Sequence, residues 1–169
     1  MIENAPTEFL RDAITIAALS GVRAGEIAAL IKHFACKDGM LTVHVRNSAA
    51  ASRRAPIHSQ LRSIIDNRAK TNRSGDCLLP KLNGSAKSLV KRFARYGAQL
   101  HGKCDGQAEK TFHSFRNQWI DERLKAGCDL YLVQQLAGHN LQRVTLSHYY
   151  HGLSVEQMVG IVEAVRLPL

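Results

Sequence analysis

The 169 residues fit one domain, and a chain of this size buries about two-thirds of the surface it exposes when unfolded, so its core needs no staple. A composition of 45% hydrophobic and 22% charged residues with 4 Pro excludes a disordered or fibrous chain, and 6% aromatic content points to an aliphatic, largely helical core. Lys+Arg 23 against Asp+Glu 14 gives a net charge of +9 and a pI near 9.7, a balance that favours polyanionic partners, nucleic acid first.

The cysteines Cys36, Cys77, Cys104 and Cys128 lie far apart, with no C-x-x-C pair and no zinc-type Cys/His spacing, so neither a structural metal nor a cofactor is expected. Acids precede the first apolar run, and no stretch approaches the length of a membrane span. The expectation is a reduced cytoplasmic protein, associated with the nucleoid and not with a membrane.

From Thr7, the apolar residues Phe9, Leu10, Ala13, Ile14, Ala17 and Ala18 recur at helical spacing. Thr7 is placed to cap this helix, about residues 8–20, and Gly21 to stop it. Ala24 to Ile31 reads as a short second helix with Arg23 at its entrance. After the turn Lys37-Asp38-Gly39, Leu41 to Val45 reads as a strand. Arg53 to His58 can return as a second, making a hairpin with its tip at Asn47 to Ser52. Gln60 to Lys70 is helical, Asn72 to Gly75 a loop, Cys77 to Pro80 a short third strand, and Ser85 to Leu100 a basic amphipathic helix. The polar segment His101 to Glu109 leads to Thr111, a good N-cap for a helix running to about Ala126. Asp129 caps a shorter helix ending at Gly138. Ser154 and Gln157 have capping-box spacing at the start of a last helix that continues to about Val165.

Three polar signatures stand at element ends. In Ser20-Gly21-Val22-Arg23-Ala24-Gly25-Glu26 an arginine leaves a Gly turn and an acid follows on the same helical face; alone, this reads as a surface ion pair. In His113-Ser114-Phe115-Arg116 the i, i+3 spacing places an imidazole and a guanidinium on one face of a helix's first turn. Backbone N–H groups and the helix dipole there favour a phosphate. Gly138-His139 is followed by Tyr149-Tyr150-His151, a His just past a helix and a tyrosine ten residues later.

In this order the motifs resemble the signature of the tyrosine recombinases of the phage-integrase type: Arg23 in G-x-R-x-x-E, a hairpin, His113-x-x-Arg116, Gly138-His139, and a tyrosine near the C-terminus. The resemblance spans nearly the whole chain. It implies an α+β, mostly helical catalytic fold that breaks and rejoins DNA, with a small antiparallel β-sheet, and it makes residues 1–169 a catalytic domain without the family's N-terminal DNA-clamping domain. It assigns Arg23 and Arg116 to clamping the scissile phosphate, His113 to proton transfer, His139 to hydrogen-bonding the phosphate, and Glu26 to supporting the site. The nucleophile is Tyr149, preferred over Tyr150 because Tyr149-Tyr150-His151 gives the family's Tyr-x-His.

The chemistry requires these residue types. A phosphodiester in flight builds negative charge that fixed cations must meet where no metal does, and a tyrosine with a pKa near 10 needs that cationic cluster to favour its phenolate. One departure concerns the leaving group: the family places a lysine in the hairpin to protonate the 5′-oxygen, and this hairpin has none. Arg46 lies nearest the expected place, and a guanidinium is a poor general acid. Lys87, Lys91, Arg92 and Arg95 draw a basic stripe along one helix, joined by Arg53 and Arg54, and these six are expected to contact DNA. The resemblance implies double-stranded DNA as partner and a tetramer assembled on it through the apolar last helix. A catalytically silent DNA-binding relative and a type IB topoisomerase-like enzyme are the competing readings.

Overall fold

The computed structural model describes residues 2–30, 39–43, 53–71, 78–79, 85–101, 111–138 and 154–167. Arg46, the hairpin tip, His139, Tyr149 and Tyr150 lie outside the described residues. The described elements are α1 (Glu8–Ser20), α2 (Ala24–Ala29), β1 (Met40–Val43), β2 (Arg53–Pro56), a single 3-10 turn (Ser59–Leu61), α3 (Arg62–Thr71), α4 (Ala86–His101), α5 (Ser114–Lys125), α6 (Leu130–Ala137) and α7 (Val155–Glu163). This is the expected fold class: α+β, mostly helical, with a small antiparallel sheet.

α1 is the central helix. The Thr7 hydroxyl accepts the Leu10 N–H at its start, and Gly21, at φ 62 and ψ 14, closes its end in the left-handed conformation that glycine adopts without a Cβ penalty. Nine of its thirteen residues are buried, because α1 packs against α2 and the 3-10 turn as well as against α4 and α5. Around it lies the larger core, built from residues such as Leu10, Ile14, Ile27, Leu61, Leu89 and Phe93. A smaller core of Trp119, Val133, Leu136, Ala137, Ile161 and Val162 joins α5, α6 and α7.

β1 and β2 pair antiparallel with Met40 opposite Pro56 and Val43 opposite Arg53. Two expectations fail here. Leu78 and Leu79, expected in a third strand, form a bend: both are fully buried, and the Leu78 N–H bonds the Leu30 carbonyl at 2.7 Å, so this apolar pair plugs the core beneath the end of α2. Thr111 does not cap α5. The Ser114 N–H bonds back to the Thr111 carbonyl at 3.0 Å, and burial of Phe112 against Phe93 and Phe115 holds a turn there, leaving His113 as the N-cap residue.

The C-terminal segment folds back on the same chain. The Glu163 carboxylate accepts the Ser59 N–H at 2.6 Å and its hydroxyl at 2.8 Å, the buried His58 Nε2 lies 3.0 Å from the Val165 carbonyl, and Gln60 and Leu167 exchange two hydrogen bonds. The Arg123 Nη2 donates to the Val162 carbonyl at 3.0 Å, tying α7 to α5.

Candidate active site

The site begins where α1 ends. A Cβ added at Gly21 would lie 2.6 Å from the Trp119 ring, so the turn rests directly on that indole. The Trp119 Nε1 donates to the Leu19 carbonyl at 3.0 Å and the Arg116 Nη1 to the Gly21 carbonyl at 2.8 Å. Two buried side chains of α5 thus grip the end of α1 and fix what emerges from it. What emerges is Arg23, two residues on.

Arg23 is the N-cap residue of α2. Its backbone N–H donates to the Glu26 Oε2 at 2.8 Å, so the acid caps it from three residues on, and its Nη1 meets the Glu26 Oε1 at 3.2 Å. Its Nη2 reaches across the molecule to the Gly138 carbonyl at 3.2 Å, the last described residue before His139. The Arg23 side chain remains 40% exposed, open to a ligand from outside.

Glu26 is 5% exposed, so the acid of the G-x-R-x-x-E pair lies in the interior while its Arg23 partner reaches the surface. Its second arginine is Arg53, from β2, which grips the carboxylate with both terminal nitrogens at 2.8 and 3.0 Å and donates through Nε to the Leu136 carbonyl at 2.9 Å. Burial alone would raise the Glu26 carboxyl. The hydrogen bond and charge of Arg53, followed by the backbone N–H and charge of Arg23, outweigh that and hold it below its ordinary value.

Arg116 is 2% exposed and lies within the field of this cluster. Burial, assisted by the charges of Arg23 and Arg53 against that of Glu26, brings its guanidinium down to about 10, so it is still a cation at neutral pH. Its Nη2 is buried without a hydrogen-bond partner among the described residues. An orphaned donor on a buried cation is costly unless something completes it, and a phosphate oxygen is a fitting acceptor. Among the described residues three guanidiniums, Arg23, Arg53 and Arg116, stand against the single Glu26 carboxylate, leaving an excess of two positive charges there.

The structure therefore brings together Arg23, Glu26 and Arg116, with Gly138 delivering the chain toward His139. His113 sits exposed at the head of α5, one helical turn before Arg116. Lys87, Lys91, Arg92 and Arg95 are all exposed on α4, opposite the buried Leu89, Phe93 and Tyr96, and the Arg92 guanidinium also lies 5.8 Å from the centre of the Phe9 ring. Arg54 is exposed and Arg53 faces inward. The sequence reading missed the partnership of Arg53 with Glu26. Its signal was the period of two in a strand, which sends neighbouring Arg53 and Arg54 to opposite faces.

No curated protein matches the sequence significantly. Among solved structures, the integrase from mycobacterium phage Brujita resembles this fold with a TM-score of 0.69 at 20% identity, over 95% of this chain and 52% of that one, so the chain spans about half the length of that integrase. The sequence model of the phage integrase family matches residues 2–155, which takes in Arg23, Glu26, His113, Arg116, His139 and Tyr149. By that match the chain belongs to the phage integrase family.

Proposed function

We propose that this chain is the catalytic domain of a site-specific DNA recombinase that cuts and rejoins strands through a 3′-phosphotyrosine. The observation that carries the reading is the buried, unpartnered Nη2 of Arg116 beside the half-open guanidinium of Arg23. Such a pair is prepared to donate to the two non-bridging oxygens of a phosphodiester and to meet the charge that grows on them during attack.

In the reaction, the Tyr149 oxygen bonds to phosphorus as the bond from phosphorus to the 5′-oxygen breaks. His113 helps move the proton off the phenol, His139 hydrogen-bonds the phosphate, and a proton delivered from solvent balances it on the departing 5′-oxygen, which leaves as a hydroxyl. Because the phosphate ester is conserved in the tyrosine linkage, the reverse attack by a 5′-hydroxyl reseals DNA without ATP. Arg46 occupies the sequence position nearest the family's hairpin lysine and stabilises charge there. Lys87, Lys91, Arg92, Arg95 and Arg54 supply phosphate contacts to the duplex, and the exposed Val155 and Val159 of α7 serve self-association into a tetramer on DNA.

The test uses a duplex pool, randomised around a central 5′-bridging phosphorothiolate. The sulfur leaves without a proton donor and re-attacks poorly, so covalent protein accumulates and its DNA reveals the preferred site. Wild type and Tyr150→Phe should give SDS-resistant adducts and Tyr149→Phe none. Adducts from Tyr149→Phe but not from Tyr150→Phe would move the nucleophile by one residue, and no adduct from wild type would leave only DNA binding. Relaxation of supercoiled plasmid without any site requirement would identify a topoisomerase instead.

A further inference from the structure

Arg53 has the residue type and the strand position of a phosphate contact, yet its guanidinium is spent on the protein. Three of its nitrogens are engaged, two on the Glu26 oxygens at 2.8 and 3.0 Å and Nε on the Leu136 carbonyl at 2.9 Å, and its side chain is 13% exposed. The end of α6 lies flat on it: a Cβ at Gly138 would come within 2.6 Å of the Arg53 Nη1. That same Gly138 gives its carbonyl to the Arg23 Nη2.

Arg53 and Arg23 therefore share two anchors, the Glu26 carboxylate and the last turn of α6. On Glu26 the two arginines meet at one oxygen, Oε1, with Arg53 at 2.8 Å and Arg23 at 3.2 Å. The planar fork of Arg53 fixes the plane of the carboxylate, and the carboxylate fixes where the Arg23 guanidinium stands. Without Arg53, Glu26 could rotate about its own side chain, and α6 would lose the side chain on which its Gly138 end is packed.

We propose that Arg53 is a positioning residue, acting through Glu26 and the Gly138 end of α6 to aim Arg23 at the scissile phosphate, and not a contact to DNA. The inference rests on the strand-transfer reading for its catalytic consequence, while the restraint on Arg23 stands without it. Of the two charges on the hairpin strand, that of Arg53 is thus used inside the site, and β2 couples the hairpin to both Arg23 and the Gly138 end of α6.

The experiment has two arms, on wild type, Arg53→Ala and Arg53→Lys, with circular dichroism to confirm folding. Lysine keeps the charge and the aliphatic stem but cannot bridge both carboxylate oxygens and the Leu136 carbonyl. The first arm needs no DNA: side-chain nitrogen NMR should find the Arg23 Nε–H ordered in wild type and disordered on the nanosecond timescale in both variants. An unchanged Arg23 signal overturns the proposal. The second arm measures cleavage of the selected phosphorothiolate duplex. At saturating protein the rate should fall about 100-fold, the scale on which a misplaced catalytic group acts, with duplex Kd within about 3-fold of wild type. Replacing the scissile phosphate with an uncharged methylphosphonate should shrink the defect to under about 10-fold, because less charge is left for Arg23 to meet. An equal defect on both linkages means a merely structural residue, and weakened binding at an unchanged saturated rate means a DNA contact; either overturns the proposal. If wild type makes no adduct, the strand-transfer reading fails and the NMR arm alone decides whether Arg53 holds Arg23.

Discussion

At the scale of single residues, the site is an exchange of one carboxylate for stability and aim. Glu26 is nearly buried and accepts four hydrogen bonds from two arginines, and its carboxyl is held below the ordinary 4.5. A carboxyl whose folded value is depressed stabilises the fold fully above its unfolded value and loses that contribution as pH falls through the folded one. Wild type should therefore lose urea stability on acidification below about 4.5, whereas Glu26→Gln should be less stable at pH 7 and show a flatter acid limb, read from urea midpoints between pH 3 and 7. Equal slopes for the two proteins would mean that Glu26 is not held ionised by the arginines. The sequence showed Arg23 and Glu26 as a pair on one helical face but could not tell surface from interior. The deciding partner, Arg53, arrives 27 residues later from another element, and only the fold decides which of two adjacent arginines turns inward.

At the scale of elements, the helix ends do the positioning. Gly21 has to combine a φ of 62 with a backbone pressed on the Trp119 ring, and its carbonyl holds Arg116. Gly21→Ala meets both penalties and is expected to cost more than about 2 kcal/mol, since strain at a left-handed position adds to an overlap with a fixed aromatic ring. Gly127→Ala, at φ 82 with open space where the Cβ would go, should cost about 1 kcal/mol, the conformational part alone. Guanidinium denaturation of the two variants separates the terms, and equal losses would deny the Trp119 contact its role. The caps Thr7, Asp129 and Ser154 were readable because each acts on a backbone N–H three residues away, within the range of local sequence. Thr111 had the same local credentials and was overridden by Phe112, whose burial in an aromatic trio is a tertiary event. The Leu78-Leu79 run failed as a strand for a related reason: apolar character marks burial, and pairing requires a neighbour that the run itself does not specify.

At the scale of the whole molecule, a net charge of +9 is distributed between two uses. Arg23, Arg53 and Arg116 are drawn into the site, and Arg123 is buried with its guanidinium 4.2 Å from the Trp119 ring centre, so not every cation faces a polyanion. The α4 stripe is different, since Lys87, Lys91 and Arg95 are exposed while Leu89, Phe93 and Tyr96 carry the packing, so the stripe can be removed without opening the core. Arg92 is best left in place because it also covers Phe9. Each phosphate neutralised on duplex DNA releases counterions and contributes about 0.9 to the slope of log affinity against log salt. The triple variant Lys87→Ala, Lys91→Ala, Arg95→Ala should therefore lower that slope by about 2.7 on any duplex, weakening binding strongly at low salt and little near 1 M. Fluorescence anisotropy across a salt titration reads this directly. An unchanged slope would make the stripe a solvated helix face and move the DNA footprint elsewhere. Because none of those three side chains shares a hydrogen bond or ion pair with Arg23, Glu26, Arg53 or Arg116 among the described residues, the saturated cleavage rate should stay that of wild type, which separates holding the duplex from cutting it.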